Sequence, residues 1–169
     1  EVADALYATE LISELYSTSG DYDLLLKIYV DSEEGIVAKD TTAPAAAVWA
    51  AIGDFCGISN WHPAVAKCEL SVKDGATYRT PTLKDAAQLL EKQTAFDAKA
   101  MTYSYTIESG PLPVKNYAST LKVIAKDNGA SIDWSGTFVA KDAADADAVK
   151  TIAGIYTGGI DALVAKTSK

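Results

Sequence analysis

Histidine and cysteine are scarce in this chain: 169 residues hold one histidine, two cysteines and one methionine. Closed zinc sites take four Cys or His ligands and catalytic ones about three. His62, Cys56 and Cys68 are all the chain has, and the two thiols match no CxxC redox or zinc spacing. No metal or cofactor site is therefore predicted. The thiols themselves leave two readings open, a bridge formed in an oxidising compartment or two packed free cysteines. Basic runs are lacking too. With a net charge of −8, a pI near 4.6 and no basic stretch of five or more residues, the chain would repel phosphate backbones, which argues against nucleic acid as a partner. An acidic surface suits solubility or a basic protein partner. No apolar stretch approaches the roughly 18 to 20 residues that span a bilayer. No Ser-His-Asp set, no glycine-rich phosphate loop and no calcium loop is visible; Asp142, Asp145 and Asp147 lack the glycine and terminal glutamate of the last. They suit the start of a helix, where carboxylates complement the dipole.

An apolar share of 49% is enough for a real core. Residues 1–34 stand apart as an N-terminal helical arm or extension. Leu6, Leu11, Ile12 and Leu15 recur at helical spacing, Ser19-Gly20-Asp21 breaks the pattern, and residues 24–30 form a short apolar run, strand or second helix. Residues 31–35 read as a solvated connector. The start at Glu1, without a methionine, fits a trimmed chain or one whose export signal has been removed.

The main domain is predicted over residues 35–169. An extended stretch at 35–42 leads to Thr42-Ala43-Pro44, a helix start with proline where its missing N–H matters least. A helix over 45–52 follows, punctuated by Gly53 and Gly57, and then a short turn over 58–61 that Pro63 ends. Six runs with period-two alternation come next, at 66–72, 78–84, 89–96, 101–108, 117–125 and 130–139, the last two joined by Lys126-Asp127-Asn128-Gly129. Residues 142–166 close the chain as a helix with an apolar stripe of Val149, Ile152, Ile155, Tyr156, Ile160 and Leu163. Gly154, Gly158 and Gly159 are unusual there and suggest close packing, a kink or room for a ligand. This order predicts an α+β helix-grip fold: a curved antiparallel sheet around a long C-terminal helix, with two short helices after the first strand.

Particular segments carry a family resemblance. Ala43 through Trp49, Ile52-Gly53-Asp54-Phe55, Trp61-His62-Pro63, Glu108 through Val114 with Asn116-Tyr117, Trp134 through Phe138, and Ile155-Tyr156 with Gly159 through Leu163 resemble the START-like (SRPBCC) superfamily of polyketide cyclases and lipid-transfer proteins. Within it the pattern is most similar to the MxaD-like proteins. That resemblance implies a periplasmic, non-enzymatic accessory role in methanol oxidation, with a methanol dehydrogenase or its cytochrome as partner. The alternatives that the resemblance implies are a carrier of lipid or another small hydrophobic ligand, or a polyketide cyclase-like enzyme using the internal pocket. Asp85-Ala86-Ala87 departs from the pattern, standing where relatives have a glycine-rich hairpin turn, so that connection is expected to differ.

No catalytic residue is assigned. Pocket candidates follow from strand faces: Arg79 shares one with Pro81 and Leu83, Glu91 with Leu89 and Gln93, and Tyr103 and Tyr105 with Met101 and Ile107. If these faces turn inward, Arg79 and Glu91 are expected to pair across neighbouring strands, since a buried charge is tolerated mainly when paired. Such a pair serves either a ligand site or strand register alone. An enzymatic reading makes Glu91 a general base. Tyr117, Trp134 and Tyr156 complete the set, with Trp61 and His62 at the expected mouth. Gly110-Pro111-Leu112-Pro113-Val114 reads as a stiff loop that gates the pocket, docks a partner or simply connects strands.

Overall fold

The computed structural model describes residues 25–27 and 33–168. Eight strands form one antiparallel sheet: β1 (Leu25–Lys27), β2 (Glu33–Thr41), β3 (Val65–Lys73), β4 (Ala76–Leu83), β5 (Leu90–Asp97), β6 (Thr102–Ser109), β7 (Val114–Lys126) and β8 (Gly129–Ala140), in the spatial order β1-β2-β8-β7-β6-β5-β4-β3. Between β2 and β3 lie helix α1 (Ala45–Ile52) and a 3₁₀ turn (Gly57–Asn60), and helix α2 (Asp145–Thr167) ends the fold. This is the helix-grip architecture. The helix predicted around Leu6 to Leu15 lies outside the described residues.

Several boundaries differ from the sequence reading. Glu33, Glu34 and Gly35, read as connector, pair with Phe138, Thr137 and Gly136 at the start of β2, while Leu25–Lys27, within the run read as strand or second helix, is a strand beside it. Strand β7 begins at Val114 rather than 117, because a register shift between Lys115 and Ala118 and a positive φ of 53° at Asn116 bend the chain without ending its pairing to β8. Helix α2 begins at Asp145, since Asp142 stands at φ 56° and cannot be helical. The β4–β5 connection manages without glycine: the Leu83 N–H donates to the Ala87 carbonyl, Asp85 accepts from the Ala87 N–H, and Ala86 takes φ 70°.

By length and composition α2 would qualify as a membrane span. Its stripe of Ala148, Ile152, Tyr156, Ile160 and Leu163 is instead buried against the sheet, together with Val48 and Ile52 of α1. The inner sheet face is laid out in rows by strand register. One row runs Phe96, Tyr103, Leu121, Trp134, Val37, and the next runs Gln93, Tyr105, Ser119, Gly136. Trp134 and the Tyr105–Ser119–Gly136 row face α2 where Tyr156 descends, which sets the site.

Candidate functional site

Arg79 and Glu91 stand directly opposite one another on β4 and β5. The Arg79 Nε–H donates to Glu91 Oε2, and Nη1 donates to the Phe55 carbonyl at 2.6 Å. The guanidinium lies 4.2 Å above the Phe55 ring and 4.7 Å above that of Tyr105, so π faces cover the charge that water cannot reach. Arg79 has no exposed surface. Burial opposes its charge, but the Glu91 carboxylate, helped by Tyr103 and Tyr105, more than offsets that and holds the guanidinium above its ordinary range. The Cys56–Cys68 disulfide ties the segment carrying Phe55 to β3.

Beside this pair lies a hydroxyl network. Ser119 Oγ donates to the Ser135 carbonyl at 2.7 Å and meets the Tyr156 hydroxyl at 3.1 Å. Tyr156 lies 2.6 Å from the Tyr117 hydroxyl, and Tyr117 lies 3.4 Å from Tyr105. The Trp134 indole N–H is shared between Ser119 and Tyr105, at 3.0 and 3.2 Å, while its ring stacks on Tyr156 with centroids 4.6 Å apart. Tyr156 reaches this deep because residue 136 is glycine: a Cβ there would lie 2.2 Å from its hydroxyl oxygen. Burial pushes the phenols of Tyr105 and Tyr117 well above their ordinary range and that of Tyr156 up to about 12, so all three keep their protons at neutral pH.

His62 is fully committed. Its Nδ1 accepts from the Ala64 N–H at 3.2 Å and its Nε2–H donates to the Ile155 carbonyl at 3.1 Å, which fixes the tautomer because each backbone partner has only one role. Burial lowers its pKa; the Ile155 bond works the other way, and the charge of Arg79 adds to the lowering. The neutral ring therefore pins the segment after the 3₁₀ turn to α2. Gly159 makes that contact possible, since a Cβ there would lie 2.7 Å from His62 and 2.8 Å from Trp134.

A cavity of about 80 Å³ opens between α2 and strands β4 to β7. Of the nine sequence candidates, His62, Glu91, Tyr105, Tyr117 and Trp134 line it. Trp61, Arg79, Tyr103 and Tyr156 do not. Arg79 sits behind Glu91 under Phe55, Tyr103 packs against Phe55 and Trp49, Tyr156 is inserted toward Gly136, and Trp61 packs edge-on against Trp134 and His62. These four support the walls. Most of the lining is apolar, with Ile58, Val65, Leu89, Ile107, Leu112, Ile152 and Ile155 prominent. Leu112 comes from the proline loop, which places one side chain on the cavity while Gly110 and Pro111 face solvent. Sequence reasoning missed Ser119, although its period-two position between Tyr117 and Leu121 marks it as inward. Phe55 was missed too as a site residue, although it ends the Ile52-Gly53-Asp54-Phe55 segment that carries part of the family resemblance.

Among the described residues no cluster of His, Cys, Asp or Glu could hold a metal ion. The cavity's ionised group is Glu91. Oε2 is engaged by Arg79, whereas Oε1 makes no hydrogen bond among the described residues and is not a sealed atom: the buried side-chain polar atoms without a partner among those residues are Trp61 Nε1 and Arg79 Nη2.

The protein XoxI from Bacillus cereus superposes with a TM-score of 0.74 at 27% identity, over 79% of this chain and 94% of its own. An uncharacterised protein from Bacillus thuringiensis does so with a TM-score of 0.74 at 28% identity, over 80% and 99%. The ZhuI aromatase/cyclase from a Streptomyces species shares the fold, with a TM-score of 0.62 at 17% identity over 80% and 92%. No curated protein matches the sequence. Residues 37–167 match the family described as polyketide cyclase / dehydrase and lipid transport, and the chain belongs to that family.

Proposed function

We propose that this protein is a non-enzymatic binding protein whose cavity takes a small, largely apolar ligand. The observation that carries this is the cavity itself: apolar walls around a few polar atoms, one of them an unengaged carboxylate oxygen of Glu91. Its size argues against a polyketide or lipid chain. Pockets for drug-sized ligands run to about 300–1,000 Å³, and an engineered cavity of about 150 Å³ accommodates benzene; this one is about 80 Å³. Catalysis is also poorly supplied, because both nitrogens of His62 and one oxygen of Glu91 are already occupied. Native mass spectrometry together with xenon titration by NMR tests the reading. A bound small molecule, or xenon-induced shifts at the Ile152 and Ile155 methyls, supports it; an inaccessible cavity by both methods refutes it.

A second, narrower reading is an exported accessory role in methanol oxidation, with a methanol dehydrogenase or its cytochrome as partner. It is supported by the resemblance to MxaD-like proteins and by the Cys56–Cys68 disulfide, a bond favoured in oxidising compartments such as the periplasm. Pull-down and electron-transfer kinetics with those two proteins test it. Absence of association and of any rate change at physiological salt refutes it.

A further inference from the structure

Hydrogen-bond polarity around the cavity can be assigned by counting protons outward from the Ser135 carbonyl. A carbonyl only accepts, so the single Ser119 hydroxyl proton goes to it. The Ser119–Tyr156 contact must then use the Tyr156 proton, the Tyr156–Tyr117 contact that of Tyr117, and the Tyr117–Tyr105 contact that of Tyr105. The chain runs one way, Tyr105 to Tyr117 to Tyr156 to Ser119 to Ser135, and every hydroxyl proton in it points along the chain rather than into the cavity. The Trp134 N–H is directed to Tyr105 and Ser119, and the His62 N–H to Ile155. Each side-chain donor among the polar lining residues is thus committed. What the polar lining residues have left to offer is a set of acceptors: Glu91 Oε1, which makes no hydrogen bond among the described residues, and the remaining lone pairs of the Tyr105 and Tyr117 oxygens.

We infer that the cavity reads a hydrogen-bond donor: its ligand is a compact, neutral, otherwise apolar molecule with one O–H or N–H directed at Glu91 Oε1. This rests on the cavity being a binding site. The ligand is neutral because Arg79 already balances the Glu91 charge, so a cation would bring an unbalanced charge into an apolar space. It is compact because the volume is about half that of a cavity holding benzene. A ligand offering only acceptors would set its lone pairs against those of the site and gain no hydrogen bond.

Isopropanol and acetone share a four-heavy-atom skeleton and differ in having a donor or only an acceptor, which makes them matched probes. Titrated against the wild-type protein and followed at the Ile152, Ile155 and Leu112 methyls by NMR, isopropanol should bind at least about tenfold more tightly than acetone. In Glu91→Gln the amide oxygen keeps the Arg79 bond and the NH₂ turns a donor toward the cavity, to which the oxygen of either probe can accept, so the preference should be lost. Acetone binding as tightly as isopropanol to the wild type overturns the donor reading and leaves the binding cavity standing. Xenon entering while neither probe binds overturns it in the same way, and failure of all three overturns the cavity as well. A folded Glu91→Gln that keeps the wild-type preference also overturns it; should that variant not fold, the wild-type pair decides alone.

Discussion

Three glycines within six residues of α2 give an internally controlled test of how tightly the helix is gripped. A glycine in a helix costs about 1 kcal/mol relative to alanine. A Cβ at Gly154 or Gly158 meets nothing within 4 Å, so Gly154→Ala and Gly158→Ala should each stabilise the protein by about 0.5–1 kcal/mol. A Cβ at Gly159 would lie 2.7 Å from His62 and 2.8 Å from Trp134, and neither ring can yield cheaply. His62 is held by two backbone hydrogen bonds, and Trp134 by its stack on Tyr156 and its shared N–H. Overpacking of this kind costs about 1–3 kcal/mol, of which the helix propensity of alanine returns about 1. Gly159→Ala should therefore destabilise by about 1 kcal/mol, or more if the His62–Ile155 bond breaks. For a chain of this length 1 kcal/mol corresponds to about 2–4 °C in Tm. Urea denaturation and thermal melts of the three variants would show two stabilised and one destabilised. A Gly159→Ala as stable as its two siblings would mean that His62 and Trp134 do not press on the helix, and the account of the site's back wall would fail.

Other perturbations follow from the same contacts. Glu91→Ala leaves the Arg79 charge buried and alone and should cost about 3–5 kcal/mol by chemical denaturation, whereas Arg79→Met combined with Glu91→Leu should cost distinctly less than that single change. Gly136→Ala should be severely destabilising because its Cβ falls 2.2 Å from the Tyr156 oxygen, yet far milder in a Tyr156→Phe background, so a double-mutant cycle should show strong favourable coupling. His62, whose pKa is lowered by burial, is protonated first in the unfolded chain. The stability it contributes is thus fully present above about pH 6.5 and is lost as pH falls from there through the lowered folded value; His62→Gln should remove that part of the pH–stability slope.

How much of this was legible in the sequence depends on what each feature needs. Strand alternation depends on local chemistry, so the six runs after the short helices and the opposition of Arg79 to Glu91 could be read directly. Bulges could not. The register shifts at Gln93/Ala95 and Lys115/Ala118 belong to the pairing of whole strands in a curved sheet rather than to local alternation, and the first of them turns Phe96 onto the inner face against Trp49. The glycine stripe in α2 announced close packing without saying which glycine serves it, because Gly159 differs from Gly154 and Gly158 only in what approaches it. The thiols left two readings open because pairing depends on β3 passing beside the segment after α1, a contact set by the whole sheet.

The candidate residues were chosen as polar groups converging on an apolar space, and the fold divides them by a rule that composition does not contain. Helix-grip folds leave room between sheet and helix, and here much of that room is taken by large side chains: Trp61, Tyr103, Trp134, Tyr156 and the Arg79 stack on Phe55 are all buried within the grip. The rings of Trp134, Tyr105, Tyr117 and Tyr156 that fill the space carry polar atoms, and pairing these with one another and with Ser119 consumes donors that a larger site would use for recognition, whereas Trp61 Nε1 and Arg79 Nη2, unpartnered among the described residues, belong to residues that do not line the cavity. For this cluster, filling the grip and committing its donors are one event. The small volume of the cavity and its acceptor-only lining have a common cause in the same Trp134–Tyr156–Ser119 contacts. Enlarging the cavity by truncating Tyr156 would accordingly free the Tyr117 proton and the Ser119 lone pair together, changing the polarity that the ligand meets along with its size.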